Sequence, residues 1–158
     1  MRKKSTMFLT GFITGILLTF LLLLVLAPRI MFTKTERNYN FAQTVDLIEQ
    51  SIRDNGWSMP HQYDLQATLN KHGFAVKPVR VFSICKPDLA ARILGSDDDR
   101  HISAMMPCRV AVYENENGKT YIARMNAILL SKLLGNNAEA VMRDAGQESE
   151  KILEPLLK

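Results

Sequence analysis

The stretch that decides the fold is Cys108–Met125, CRVAVYENENGKTYIARM. In its first part, Cys108–Glu114, apolar residues alternate with polar or small ones, which is typical of a half-buried strand. Lys119–Met125 has the composition of a return strand. Asn117-Gly118 lies between the two, and Asn-Gly is a strong signal for a tight hairpin turn. The segment therefore predicts an antiparallel β-hairpin.

Three earlier segments predict further strands. Val79–Ile84 alternates in the same way as the hairpin. Trp57–Tyr63 is short and contains Pro60, which favours an edge position because proline cannot donate to a ladder. Ile30–Arg37 contains a short β-compatible run. These strands and the hairpin are enough for one sheet.

The segments between the strands carry apolar residues every three or four positions, which predicts helices. The clearest begins at Phe41 after the N-cap Asn40 and stops at Asn55-Gly56. Another helix begins at Lys86-Pro87-Asp88, since proline suits the first helical position. It ends at Gly95. Further helices are predicted at Leu65–His72, Asn126–Leu134 and Asn136–Lys158. Ser96–His101 is predicted to be a polar loop.

Helices mixed with antiparallel hairpin signals predict an α+β sandwich, with helices covering one side of a mostly antiparallel sheet. The chain has 158 residues. We assign residues 1–28 to an N-terminal anchor and residues 29–158 to one soluble domain, a length that suits a single core.

Charge argues against nucleic acid as a partner. The formal net charge is +4, and Arg2, Lys3 and Lys4 carry three of those charges, which leaves about +1 on the rest. A nucleic-acid-binding domain needs a concentrated stripe of lysine and arginine, and the sequence contains none.

The N-terminal segment predicts a membrane-spanning helix. Phe8–Ala27 is twenty residues without a charge, long enough at about 1.5 Å per residue to cross a bilayer core of about 30 Å. The alternative is a cleaved signal peptide ending at Ala27. Pro28 would then follow the cleaved bond, and signal-peptide apolar regions are shorter. We therefore expect the segment to be retained as a signal anchor.

Basic residues at the N-terminus favour the cytoplasmic side for that end of the helix. Arg29, Lys34 and Arg37 on the other flank weaken the asymmetry. We expect a single-pass protein of the cell inner membrane, with its soluble domain on the periplasmic side. Gly11 and Gly15 lie on one face of the helix, and such a pair lets two helices approach closely and dimerise.

Two cysteine motifs carry a resemblance to a known family. They are Cys85-Lys86-Pro87 at a helix start and Met106-Pro107-Cys108 at the head of the hairpin, which closes at Asn117-Gly118. Together they resemble the domain-of-unknown-function 302 family over roughly Met31–Leu157. The resemblance implies a β-α-β(4)-α sandwich that tends to form homodimers, and it implies no particular activity.

The chain departs from the family pattern near both cysteines. Lys86 and Arg109 stand where the family often has asparagine, and Met125-Asn126 replaces a common Asp-Pro. These changes make the surroundings of both cysteines more cationic.

Cys85 and Cys108 are the only cysteines, with 22 residues between them. If the strands that carry them are neighbours, we expect the two sulfurs to meet. One interpretation is a structural disulfide, since cysteines outside the cytoplasm usually pair. Closing a loop of this length stabilises a fold by about 3 kcal/mol in the chain-entropy treatment. The protein would then be a stapled dimerisation domain.

A second interpretation is thiol chemistry. Cys85 is predicted at a helix N-terminus beside Lys86, and Arg109 follows Cys108. Both surroundings favour a thiolate. Two activated thiols describe a redox pair or a sulfur carrier.

A third interpretation is a soft-metal or haem site. Its candidate ligands are thiolates, thioethers and an imidazole, a donor set that favours Cu(I) or related ions: Cys85, Cys108, Met105, Met106 and His101. Adjacent residues on a strand point to opposite faces, so at most one of the two methionines faces the surroundings of Cys108.

The sequence contains no hydrolase, phosphate-loop, dinucleotide or zinc-protease motif. His61 and His72 are interpreted as surface residues. We therefore predict a non-enzymatic binding module that holds a small ligand, a soft metal or a sulfur species near Cys85 and Cys108. The alternative is a thiol-dependent redox enzyme that uses the same cysteines. The sequence identifies no cofactor.

Overall fold

The computed structural model describes the backbone of residues 2–157 and the side chains of residues 10–135 and 137–157. The side chains of Arg2, Lys3 and Lys4, on which the predicted orientation depends, lie outside the described residues. The chain divides into two compact units, one ending at Phe32 and the other beginning at Thr33.

The first unit is helix α1, Arg2–Met31. Its part Thr10–Met31 has a mean hydropathy of 2.5 and is, within the described residues, the one helix long and apolar enough to cross a membrane. The helix continues through Pro28, three residues beyond the predicted end of the anchor. Gly11 and Gly15 are exposed on it, and their role in dimerisation stays a prediction.

The second unit contains a five-stranded sheet. Its strands lie in the order β1-β5-β4-β3-β2, and the ladders β2–β3, β3–β4 and β4–β5 are antiparallel. The predicted hairpin is confirmed as the β4–β5 pair. The strands are β1 Phe32–Arg37, β2 Ser58–Asp64, β3 Val79–Cys85, β4 Cys108–Glu114 and β5 Thr120–Met125.

The helices between the strands begin and end close to the predicted positions. Helix α2 starts after Asn40, whose side chain accepts a hydrogen bond from the Gln43 amide in a capping box. The helices are α2 Phe41–Asp54, α3 Leu65–Asn70, α4 Pro87–Leu94, α5 Ala127–Ser131 and α6 Asn136–Leu157.

The predicted polar loop Ser96–His101 is only partly a loop, because a 3-10 helix spans Arg100–Met105. Ile102 is buried on this short helix. The sequence has no helical periodicity there, since two turns of 3-10 helix are too short to show one.

One face of the sheet carries the core. Phe82, Ile84, Val110, Val112 and Ile122 are buried on it. Apolar residues of α2, α4 and α6 complete the same cluster. The fold is thus the predicted α+β class, with a mostly antiparallel sheet and an N-terminal apolar helix.

Candidate functional site

The two cysteines lie at one end of the sheet, Cys85 as the last residue of β3 and Cys108 as the first residue of β4. In the β3–β4 ladder, Ile84 is the residue opposite Cys108. Cys85 therefore lies one residue further along β3 than the partner of Cys108. Both cysteines are free thiols. The prediction that the two sulfurs meet across neighbouring strands is therefore wrong, because strand register did not bring them opposite each other.

The thiols lack the electrostatic surroundings that would activate them. Burial raises the pKa of Cys108, and burial likewise raises the pKa of Cys85. Both side chains therefore stay protonated at neutral pH, whereas thiolate chemistry needs a lowered pKa.

The two neighbouring cations are engaged elsewhere. The Lys86 ammonium forms an ion pair with the Glu148 carboxylate, which also raises the pKa of Lys86. Arg109 follows Cys108 on a strand, so its side chain points to the opposite face. There its guanidinium lies 5.9 Å from the centre of the Tyr63 ring.

An inner cavity of about 30 Å³ lies under the cysteine end of the sheet. This volume suits about two water molecules. Its lining is apolar and includes Trp57, Cys85, Met106, Cys108 and Met142. A cavity this small and apolar favours a single small occupant over an organic ligand.

An outer cleft of about 360 Å³ opens beside it. Its lining includes Pro60, His61, Leu94 and Ser103. The cleft and the inner cavity share four lining residues, which we call the shared wall: Cys85, Ala90, Met106 and Pro107. The Cys85 thiol and the Met106 thioether are its sulfur groups.

The five predicted metal ligands do not form one set. Met106 lies in the shared wall, whereas Met105 lines a separate cavity with Cys108 and Met125. His101 is exposed on the 3-10 helix. Within the described residues, no three side chains among His, Cys, Asp and Glu gather closely enough to hold a metal.

His61 is the site residue that sequence reasoning missed. It is exposed, as predicted, but it lies on the wall of the cleft that also contains Cys85 and Met106. A bulge between Ser58 and His61 changes the β2–β3 register. Pro60 lies at this bulge, and proline within a strand marks either an edge position or a bulge. Interpreted as an edge signal alone, it did not reveal the placement of His61.

Comparison with known proteins agrees with the fold. A family model, "Domain of unknown function DUF302", matches residues 32–156. No curated protein matches the chain. A crystal structure of an uncharacterized conserved DUF302 protein from Bacillus stearothermophilus superposes with a TM-score of 0.71 at 20% identity, covering 80% of this chain and 98% of that one. The folded unit of this chain therefore belongs to the DUF302 family, as its two cysteine motifs suggested.

Proposed function

We propose that this protein is a non-enzymatic, membrane-tethered binding module that holds a soft metal ion at the shared wall. The observation that carries the proposal is that the thiol of Cys85, the thioether of Met106 and the imidazole of His61 line one cleft. The expected ion is Cu(I), with these three side chains as its donors.

The chemistry of the donors selects the class of metal. Thiolate and thioether sulfurs favour Cu(I), whereas carboxylate and carbonyl oxygens favour magnesium and calcium. Structural zinc sites use four Cys, His or carboxylate ligands. The described residues offer no such group, and a thioether takes the third position here. A soft monovalent ion is therefore the best match to the cleft.

Binding is favoured over thiol redox chemistry because burial raises the pKa of both thiols. A metal ion displaces the thiol proton when it binds, so a protonated resting thiol is compatible with a metal site. A redox enzyme or sulfur carrier needs a standing thiolate. A structural staple needs a Cys85–Cys108 bond, and both cysteines are free.

The tether itself is supported by the length and apolar character of Thr10–Met31. We further propose a single-pass arrangement with the domain on the periplasmic side of the inner membrane. This rests on the basic residues Arg2, Lys3 and Lys4, which precede the apolar segment. Dimerisation through Gly11 and Gly15 or through the sheet belongs to the same proposal.

The test is a Cu(I) titration of the full chain in detergent micelles under anaerobic conditions, in competition with a coloured Cu(I) chelator. We expect one ion per chain. Cys85→Ser and Met106→Leu should each weaken binding by more than about tenfold, since even outer-shell partners of a metal contribute about 10–100-fold. Met105→Leu is the matched control, because Met105 lines a different cavity.

Two results would contradict the proposal. One is a chain that takes no Cu(I) from the chelator. The other is an equal loss of affinity in Met106→Leu and Met105→Leu. A persulfide mass on either cysteine of the protein as isolated would instead favour the sulfur-carrier alternative.

A further inference from the structure

Three polar side chains lie in a row across the sheet, on the face away from the core. In the ladders, His61 of β2 is opposite Ser83 of β3, and Ser83 is opposite Arg109 of β4. Residues that face each other in antiparallel strands project from the same side of the sheet. Phe82, the neighbour of Ser83, is fully buried in the core, so this row lies on the other side.

The hydroxyl at the centre of the row is buried and unsatisfied. Ser83 is only 1% exposed, and its Oγ has no hydrogen-bond partner in the described part of the protein. A buried hydroxyl without a partner destabilises a fold. Such a group in a native structure requires an explanation, and a ligand that binds there is one.

The ladder neighbours of Ser83 on both sides carry side chains that can move. Arg109 starts on β4 and reaches the ring of Tyr63 on β2, so its side chain crosses over β3. The His61 ring lies 6.0 Å from the Tyr63 ring. Arg109 and His61 are both exposed, and rotation of an exposed arginine takes only picoseconds to nanoseconds. The exposed side chains on either side of the buried hydroxyl can therefore move aside.

The outer members of the row are also available. Among the described residues, the Arg109 guanidinium contacts the Tyr63 ring and has no carboxylate within ion-pair distance. A guanidinium offers five N–H donors, a hydroxyl offers one, and an imidazole N–H offers another. An oxyanion has only acceptor atoms, so a group of hydrogen-bond donors is chemically complementary to it. Arginine binds planar or tetrahedral oxyanions with two parallel hydrogen bonds.

We infer that His61, Ser83 and Arg109 form a binding site for a small oxyanion on the outer face of the sheet. The chemical class is a phosphate, a sulfate or a carboxylate. The guanidinium supplies the charge, the Ser83 hydroxyl donates the buried hydrogen bond, and His61 closes the opposite side. This site adjoins the outer cleft through His61 and needs no metal.

The test is a titration of the metal-free full chain in detergent micelles with inorganic phosphate, at constant ionic strength maintained with chloride. Chemical shifts of the Ser83 amide and of the Arg109 side chain report binding. We expect saturation at millimolar concentration. Arg109→Gln should weaken binding by about tenfold or more, the scale of a hydrogen bond to a charged group.

Ser83→Ala separates a binding role from a packing role. It removes an unsatisfied buried hydroxyl, so the phosphate-free protein should melt at a higher temperature, while its phosphate affinity falls by about tenfold. Arg143→Gln, at an exposed arginine of α6, is the matched control and should bind phosphate as the wild type does. His61→Gln, a surface substitution, serves as the second variant and should also weaken binding.

The inference is overturned if phosphate has no more effect than chloride. It is equally overturned if Arg109→Gln and Arg143→Gln lose affinity to the same degree, or if Ser83→Ala and His61→Gln both bind phosphate with wild-type affinity. Because the titrated protein contains no metal, none of these results bears on the copper proposal.

Discussion

Ile84, and not Cys85, is the residue opposite Cys108 in the β3–β4 ladder. If the pairing between β3 and β4 shifted by one residue, the two cysteines would lie opposite each other. Such a shift would also move Phe82 and Ile84, both fully buried, to the other face of the sheet, because side chains alternate along a strand. The core therefore fixes the register that keeps the cysteines from being ladder partners.

We expect both thiols to react slowly with iodoacetamide near neutral pH, and Cys108 to be the slower of the two. Burial raises both pKa values, and Cys108 is the more deeply enclosed. The stabilising effect of burying the neutral thiols is complete below the ordinary thiol pKa and is lost as the pH rises through the raised one. Mass spectrometry of alkylated protein over a pH series measures the alkylation rate of each thiol. Rapid labelling near pH 6 would contradict the prediction.

Glu36 is expected to make the attachment of β1 sensitive to acid. Its carboxylate accepts hydrogen bonds from Lys119 Nζ at 2.7 Å and from the Tyr121 hydroxyl at 2.8 Å, and these lower its pKa below the ordinary 4.5. The stabilisation is present above pH 4.5 and is lost as the pH falls through the lowered value. Urea unfolding at a series of pH values should show a smaller acid dependence for Glu36→Gln than for the wild type.

Gly146→Ala should destabilise the protein, although glycine to alanine within a helix ordinarily stabilises by about 0.5–1 kcal/mol. A Cβ at residue 146 would lie 2.9 Å from Cγ1 of Ile128 and 3.1 Å from its backbone nitrogen. We expect a loss of about 1–3 kcal/mol, the usual cost of overpacking. Chemical denaturation measures it. Ile128→Ala in the same chain should recover part of the loss, and a fully additive double variant would argue against this contact.

Asp64→Ala should destabilise α3 by about 1 kcal/mol, the typical contribution of an N-cap. The Asp64 carboxylate accepts a hydrogen bond from the Ala67 amide at 2.8 Å and one from Arg80 at 2.7 Å. Asp64→Asn is the control, because asparagine caps a helix but carries no charge. Equal loss in the two variants, measured by denaturant unfolding, would assign the effect to the ion pair and not to the cap.

Features set by neighbouring residues could be predicted from the sequence. The Asn117-Gly118 turn gives Gly118 a φ of 74°, and Asn40 caps α2 as expected. Both follow from a few consecutive residues. The candidate site could not be predicted in this way, since it depends on how separate strands align.

Arg109 illustrates the difference. Sequence reasoning grouped it with Cys108 because the two are adjacent in the chain. The strand separates them, and pairing across the sheet places Arg109 beside Ser83 and near Tyr63. A single residue in a strand therefore has its functional neighbours on other strands, and the register that selects them is set by the packing of the whole core.

Trp57 is the only tryptophan of the chain, it is 6% exposed, and it lines the inner cavity behind the shared wall. Its indole therefore lines the same cavity as Cys85 and Met106 while being shielded from solvent. The protein thus has an intrinsic optical reporter of this wall. Emission from one ring, without any label, should respond to a metal ion or an oxidised sulfur at the site, and titrations can be followed on the purified full chain in detergent micelles.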